Sequence, residues 1–536
     1  MKNIKTAIAQ KNFTVGDLRG NSKIIIDSIE NAKKNNVEIV VFPELSVTGY
    51  FPKDLLFNKQ FIEDNLKYLD KIVNSCDLIT ALVGFVNKIE DDIYNSIAVI
   101  QNRKIVKIIH KTNLSIDEKR YFAQNEDIKP VNIKIKDQNV KIGIEISEDF
   151  ENNENKIDIT RKLAENGAEV IFCCSASPYY FNKLEKKQKY ISNNAKENNL
   201  SIIYTNLVGG QDDLIYDGNS FAVDEYGNIL AVCKGHKEEI KYFKIGNTNK
   251  ILSFPKINKM EELYNSLVLG ISDYFRKTGF KEAILGLSGG IDSALVAVLV
   301  SEAIGSENVY CYALPSEFSS NHSIEDSEKL AKILGINYTE ISIKNSYNNL
   351  LNTLGKEFEG TEFGIAEENL QARIRGTLLM SIANKFDRLV LTTGNKTEIN
   401  LGYFTLYGDS AGALAPISDL NKLEVYALSN YINKRSEKEI IPQNIITKKP
   451  SAELKNGQYD PFDYEIVSPL VDEIINNNRS KNELLKLGYN KKLIDEVIEL
   501  IRKSEYKRHQ LVTGLKVSET MVHKDRKMPI VNKYTF

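Results

Sequence analysis

Three groups of residues combine types and spacings that could do chemistry. The first is Ser288-Gly289-Gly290-Ile291-Asp292-Ser293, set between an apolar run at 282–287 and an apolar, helix-forming run at 294–304. A strand that turns on glycines into a helix offers unpaired backbone N–H groups and the positive end of a helix dipole, which together suit phosphate. The turn lacks the Gly-Lys-Ser/Thr of a Walker A loop and contains an aspartate instead. A carboxylate beside phosphates calls for a bridging divalent cation, so the turn reads as a pyrophosphate cradle with Mg²⁺ near Asp292. Taken alone it also reads as a capped tight turn.

The second group comprises Glu368-Asn369-Leu370-Gln371-Ala372-Arg373-Ile374-Arg375, suited to phosphate and ribose, and Thr393-Gly394-Asn395-Lys396-Thr397-Glu398, suited to a nucleotide with a metal. A solvated helix face and a capped turn are the plain alternatives. The third group is Glu44, Lys111 and Ser147, each closing an apolar strand-like run. A carboxylate base, an ammonium for an oxyanion and a hydroxyl at the attacking position make an amide-hydrolysing set. Charged strand ends are also common without any such role.

The elements that must hold these groups alternate. Strands are expected at 5–9, 37–42, 78–85, 96–101, 104–110, 140–146, 169–174, 200–207 and 220–223, with helices at 20–35 and 157–166. This half predicts a layered α/β sandwich. A polar, turn-rich stretch at 246–258 predicts a linker, with domains at 1–250 and 256–536. Beyond it, a helix at 261–278, the strand before Ser288, strands at 308–314, 337–343 and 388–392 and a helix at 323–334 predict a doubly wound parallel sheet. Such sheets bind ligands at the carboxyl ends of their strands.

Composition narrows the classes. A chain of 536 residues is too long for one core. A net charge of −2 gives no electrostatic case for nucleic acid or an anionic membrane. Five cysteines without a CxxC pair, two of them (Cys173-Cys174) inside an apolar strand, read as core residues. With five scattered histidines, no zinc site is expected. No signal peptide and no apolar run of membrane-spanning length is present, so a cytoplasmic protein is expected.

Several stretches resemble known families. Phe42-Pro43-Glu44-Leu45-Ser46-Val47-Thr48-Gly49-Tyr50 resembles the Glu motif of the nitrilase (carbon–nitrogen hydrolase) superfamily. Gly143-Ile144-Glu145-Ile146-Ser147-Glu148-Asp149 resembles its nucleophile motif, and Ser175-Ala176-Ser177-Pro178 its following strand. Val208-Gly209-Gly210-Gln211-Asp212-Asp213 and Asp217-Gly218-Asn219-Ser220 are similar to the glutaminase domain of glutamine-dependent NAD⁺ synthetases. The 288–293, 368–375 and 393–409 stretches resemble the ATP-pyrophosphatase domain of NAD⁺ synthetases. Ser504-Glu505-Tyr506-Lys507-Arg508-His509-Gln510 and Asp525-Arg526-Lys527-Met528-Pro529-Ile530 resemble its closing motifs, and Ser451-Ala452-Glu453-Leu454 with Gln458 its mobile loop.

The resemblance implies a nitrilase-like α-β-β-α sandwich followed by a doubly wound parallel-sheet domain of the adenine nucleotide alpha hydrolase type. It implies a homo-oligomeric ligase that amidates deamido-NAD⁺ through an adenylated nicotinate, with ATP and Mg²⁺, and with glutamine or ammonia as nitrogen donor. Carried over by motif, Glu44, Lys111 and Ser147 are the amidase set, and Ser177 and Lys183 contact glutamine. Gly286, Leu287, Ser288, Gly289, Gly290, Ile291, Asp292, Ser293 and Thr393 contact ATP. Asn369, Glu398 and Lys507 contact deamido-NAD⁺, and Asp292 and Glu398 hold the metal.

The chain departs from the pattern at three places. Ser147 stands where the family has Cys. The Pro and Tyr that follow the family's lysine have no counterpart in Lys111-Thr112-Asn113-Leu114-Ser115. The mobile loop differs at Pro461-Phe462. A thiol near pKa 8.5 is readily ionised, whereas a serine hydroxyl is a far weaker acid. Weak or absent glutaminase activity is therefore expected. Two other classes stay open on sequence: another ATP-pyrophosphatase amidotransferase, and a nitrilase-type amidase with a nucleotide-sensing domain.

Overall fold

The computed structural model describes residues 3–534 apart from 137, 151–156, 247–251, 257 and 456. Part of the expected linker, 247–251 and 257, lies outside the described residues. The chain forms two compact units, Met1–Gln211 with Ile215–Ile257, and Asp212–Leu214 with Asn258–Phe536.

In the first unit, β1 (Ile4–Gln10), β2 (Ile39–Val41), β3 (Thr80–Ile89), β4 (Asp92–Gln101) and β5 (Lys104–His110) share one sheet. The second sheet is built from β6 (Val131–Ile135), β7 (Gln138–Ile146), β8 (Val170–Ser175), β9 (Ser201–Asn206), β10 (Phe221–Val223) and β11 (Ile229–Val232). A further strand, β12 (Glu239–Ile245), returns to pair antiparallel with β1, giving the orders β12-β1-β2-β3-β4-β5 and β11-β10-β9-β8-β7-β6. Strand alternation makes the sandwich. Ile142, Ile144 and Ile146 of β7 point one way and pack with Phe172, Ile8, Val41 and Leu82 between the sheets. The other face of β8 and β9 carries Ile171, Cys173, Ile202 and Tyr204, which pack with Ile159, Leu163 and Ile191 of α3 (Ile159–Glu165) and α4 (Lys183–Asn198). On the first sheet's outer side lie α1 (Leu18–Lys34) and α2 (Lys59–Ser75), which bury Ile25, Ile29, Ile62 and Leu69. This is the expected α-β-β-α sandwich, and Cys173 and Cys174 are wholly buried in it.

The second unit is organised by four parallel strands, β13 (Ala283–Gly286), β14 (Val309–Ala313), β15 (Asn337–Glu340) and β16 (Leu389–Val390), in the order β15-β14-β13-β16. The first strand thus lies between the second and the fourth, and the order reverses beside it. That reversal opens a crevice between the chain leaving β13 and the chain leaving β16. α5 (Lys259–Thr278) and α6 (Ile291–Ile304) pack together, and α6 buries ten of its fourteen residues, which accounts for its nearly uniform apolar sequence. Later come α7 (Asn321–Leu334), α8 (Lys344–Leu354), α9 (Ile365–Phe386), α10 (Lys396–Leu401) and α11 (Lys422–Ser436). Only Leu389 and Val390 of the expected 388–392 strand pair with β13; the chain beyond them leaves the sheet to form the crevice wall.

Candidate active sites

The crevice of the second unit is a cavity of about 420 Å³. Its floor is the turn between β13 and α6. Gly289 has φ +73°, and a Cβ there would lie 2.4 Å from Ser323 O, so only glycine lets the turn back onto α7. Ser293 Oγ donates to Gly290 O (3.0 Å), accepts from Ser288 N (3.2 Å) and lies 3.0 Å from Ser288 Oγ. α6 starts at Gly290 with no side chain capping it, leaving its first N–H groups for a ligand. Of the nominated turn residues, Gly286, Leu287, Ser288, Gly290, Ile291 and Asp292 line the cavity. Gly289 and Ser293 stand behind the wall and shape it. Gly289→Ala is accordingly expected to cost about 2–4 kcal/mol of stability through left-handed strain and backbone collision; a thermal midpoint equal to that of the parent chain would contradict this packing.

Thr393, Asn369, Glu398 and Lys507 reach the same cavity from separate elements. Asn369, on α9, accepts from Thr405 Oγ1 at 2.7 Å. Lys507 donates to Gly402 O (2.8 Å) and Phe404 O (2.7 Å), and burial pulls its pKa below the usual lysine value. Glu398 is the third residue of a capping box with Asn395 at the start of α10.

Asp292 and Glu398, 106 positions apart in sequence, converge on one cation. Lys422 Nζ donates to Asp292 Oδ2 (2.5 Å) and Glu398 Oε1 (3.2 Å), while Asn395 Nδ2 donates to Asp292 Oδ1 (2.9 Å). Burial raises the Glu398 pKa to about 7, against the pull of Lys422 and with a push from Asp292. Burial works to lower Lys422, but Asp292 and Glu398 outweigh it and hold it well above the usual range. Two hard oxygen donors already gathered around a positive charge, beside the phosphate turn, fit Mg²⁺.

Lys422 was not nominated by the sequence reading. Asn421 and Glu424 form a capping box that marks the start of α11 and puts Lys422 at its first position. A cation there opposes the helix dipole, and that anomaly was the available signal. Glu453, named in the mobile loop by resemblance, was given no role of its own. It accepts from Ser320 N (3.1 Å), Ser320 Oγ (2.9 Å), Ser323 Oγ (2.8 Å) and Lys448 Nζ (2.9 Å), pinning the 451–458 loop to the N-terminus of α7. Leu454 O accepts from Gln371 Nε2 (2.8 Å), and Lys455 pairs with Glu368 (2.9 Å), so these two residues of the loop lie against α9.

In the first unit, the carboxyl ends of β2 and β7 and the end of β5 bring Glu44, Ser147 and Lys111 together. Ser147 opens a short 3₁₀ turn at φ +43°, and its Oγ donates to Glu44 Oε2. Ala176 N donates to Ser147 Oγ at 2.9 Å. Lys111 Nζ donates to Glu44 Oε1 (2.7 Å) and Glu118 Oε1 (2.8 Å), and it also pairs with Glu148. Asn95 Nδ2 bridges Glu44 (2.7 Å) and Glu118 (3.0 Å). Asn95 and Glu118 had no place in the sequence assignment. Burial raises Glu44 to about 7 against the pull of Lys111, and the three carboxylates hold Lys111 well above its usual range despite burial. Lys183 Nζ donates to Ser177 Oγ (2.7 Å) and Pro178 O (2.9 Å), so the two residues nominated for glutamine touch each other. The carboxylate, ammonium and hydroxyl expected from the sequence thus meet in one buried cluster.

Comparison with known proteins agrees with both halves. Residues 5–246 match the family model for carbon–nitrogen hydrolases, and 263–511 the model for NAD synthase. The glutamine-dependent NAD⁺ synthetase of Thermotoga maritima is 38% identical over 580 residues, covering 100% of this chain and 99% of that protein. The chain belongs to the glutamine-dependent NAD⁺ synthetases. The Synechocystis synthetase is likewise 38% identical, over 98% of both chains. A solved structure of the Acinetobacter baumannii glutamine-dependent NAD⁺ synthetase with ADP is 34% identical, with a TM-score of 0.78 over 100% of this chain and 99% of that one. As an NAD⁺ synthetase the chain is a ligase that amidates deamido-NAD⁺ with ATP as substrate, and Mg²⁺ is typical of such enzymes. That identification removes the two other classes left open by the sequence. Among the described residues no helix is long and apolar enough to cross a membrane.

Proposed function

We propose that this synthetase forms its adenylate in the cavity above the 288–293 turn and takes nitrogen from free ammonia rather than from glutamine. The observation that carries the reading is the pairing of Ser147 Oγ with Glu44 in an otherwise complete amidase constellation. The relatives are named for glutamine, but a hydroxyl is a poor nucleophile with only a carboxylate as base. A Glu44 pKa of about 7 still leaves the base far too weak to ionise an alcohol.

In the synthetase cavity, a nicotinate carboxylate oxygen attacks the α-phosphorus of ATP, the bond to the β-phosphate oxygen breaks and pyrophosphate leaves. Ser288, Gly290 and the N–H groups opening α6 hold that pyrophosphate, with Ser293 and Gly289 shaping the turn. Thr393 contacts ATP, and Asn369, Glu398 and Lys507 orient deamido-NAD⁺. Asp292 and Glu398 would hold Mg²⁺, which supplies positive charge against the departing phosphates. Ammonia then attacks the acyl carbon, the carbon–oxygen bond to AMP breaks, and a proton is shed. The 451–458 loop, closed by Glu453, keeps water from the adenylate. A cytoplasmic, homo-oligomeric enzyme belongs to the same proposal; its five cysteines are all free, as in a reducing compartment.

The test compares NAD⁺ formation with glutamine and with an ammonium salt. Ammonium should support turnover and glutamine should give under about one hundredth of that rate; equal rates with glutamine at trace ammonia would overturn the reading. Ser147→Cys is expected to recover only a small part of glutamine use, because the segment after Lys111 lacks the family's Pro and Tyr.

A further inference from the structure

Arg375, on α9, is a cation of the synthetase cavity that the adenylation scheme leaves unused. Its Nε donates to Leu314 O at 2.9 Å, and among the described residues that is its one hydrogen bond. The two terminal nitrogens make none and are not sealed off, so they open onto the cavity. No carboxylate pairs with the guanidinium among the described residues. Glu453 and Asp409 act on it through space, and both have other donors: Glu453 accepts from Ser323 Oγ (2.8 Å) and Asp409 from Thr405 N (2.8 Å). Burial pulls the Arg375 pKa down to about 10 against those two carboxylates. A guanidinium fixed through one nitrogen and lacking an anion is a costly group when partly buried. An oxyanion that accepts from both free nitrogens removes that cost.

The sheet register indicates which oxyanion. β13 and β14 run parallel with Gly286 beside Tyr312, and Leu287 N donates to Tyr312 O at 3.0 Å. In that register Leu314 comes level with Ser288, and neighbouring strands are about 4.8 Å apart. The guanidinium on Leu314 O therefore stands about one strand's width from the first residue of the cradle, on the β14 side. The turn and the start of α6 hold the pyrophosphate, and the α-phosphate is one bridging oxygen away from it. A phosphate held beside the cradle rather than in it is the α-phosphate.

We propose that Arg375 is a catalytic residue that grips the α-phosphate of ATP through both terminal nitrogens and keeps hold of it through both steps. The assignment rests on the reading that the adenylate forms above the 288–293 turn. In the first step the bond from the nicotinate oxygen to phosphorus forms, and the bond from that phosphorus to the pyrophosphate oxygen breaks. The guanidinium stabilises the charge on the two outer oxygens while phosphorus is five-coordinate. In the second step the ammonia nitrogen bonds to the acyl carbon and the carbon–oxygen bond to AMP breaks, with the surplus proton going to solvent water. The electron pair of the broken bond stays on the AMP phosphate, which the same guanidinium still holds. A planar fork suits two oxygens of one phosphate in a way that a point charge does not.

The test is the kinetics of Arg375→Gln and Arg375→Lys at saturating deamido-NAD⁺ and ammonium. In Arg375→Gln, kcat and pyrophosphate exchange without ammonia should each fall by about 10²–10³-fold. The inhibition constant of AMP against ATP should rise by about 10–100-fold. The inhibition constant of pyrophosphate and the deamido-NAD⁺ KM should stay within about twofold. That split is what a merely structural side chain would not produce. Should Arg375→Gln fail to fold, Arg375→Lys, which keeps the length and the charge, carries the same comparison. A parental AMP inhibition constant overturns the assignment. So does an equal rise for pyrophosphate, which would put Arg375 in the cradle, or a rise confined to the deamido-NAD⁺ KM, which would put it on the dinucleotide. Parental pyrophosphate exchange in Asp292→Asn would instead refute the cavity reading, whatever the Arg375 variants do.

Discussion

Asp292→Asn should slow AMP release by a factor of about 10²–10³ while leaving the chain as stable as the parent. The asparagine has the same shape and can still accept from Asn395 through its Oδ1. The carboxylate charge is removed, and the amide nitrogen in place of Oδ2 no longer accepts from Lys422, which keeps Glu398 as its partner. In the parent, Asp292 and Glu398 face one ammonium; in the variant, one carboxylate faces one ammonium, which is no worse balanced. Asp292 is also partly exposed, at 17% of its side chain, so its desolvation contributes little to folding. What the variant loses is the second oxygen charge for the metal at the pyrophosphate end. AMP release at the parental rate would remove Asp292 from the reaction, and a large fall in thermal midpoint would make it a structural residue.

Lys111→Met in the first unit should act in the opposite sense, on stability. The side chains of Lys111, Glu44 and Glu118 are fully buried, with Glu148 beside them at 23% exposure. Removing the one ammonium leaves the carboxylates facing each other out of water, and a loss of about 3–5 kcal/mol is expected. The loss should depend on pH. Burial already raises Glu44 to about 7, above its unfolded value, and without Lys111 it must rise further. The folded variant then binds more protons than the unfolded chain from about pH 4.5 upward. Its stability therefore falls as pH rises, and urea unfolding should show a larger deficit at pH 8 than at pH 5.5. Equal deficits at both would contradict the charge account.

These sites were unevenly legible in the sequence. Glu44, Lys111 and Ser147 could be found because each closes an apolar run and sits in a local motif; the strand ends that carry them come from both sheets of the sandwich and meet there. The 288–293 turn was legible for the same local reason. Asn95 was not assigned a role because it acts across distance: it meets Glu44 from 51 positions away, and nothing near it in sequence marks the encounter. Lys422 meets Asp292 from 130 positions away. Helix and strand periodicity report which face is buried, never which buried charges are paired. The shortened fourth strand has a similar cause, since β16 pairs with β13 over two residues and its apolar sequence continues into the cavity wall.

Ser323 has a consequence for the order of events. Its carbonyl oxygen is what Gly289 backs onto, and its hydroxyl is one of the donors to Glu453 of the loop. Cradle and cover thus share one residue of α7 among the several contacts that hold the cover down. If the cover opens before ammonia arrives, water meets the adenylate and ATP is spent without product. Leakage at low ammonia, rather than turnover at high ammonia, is where this shared hinge should make itself felt.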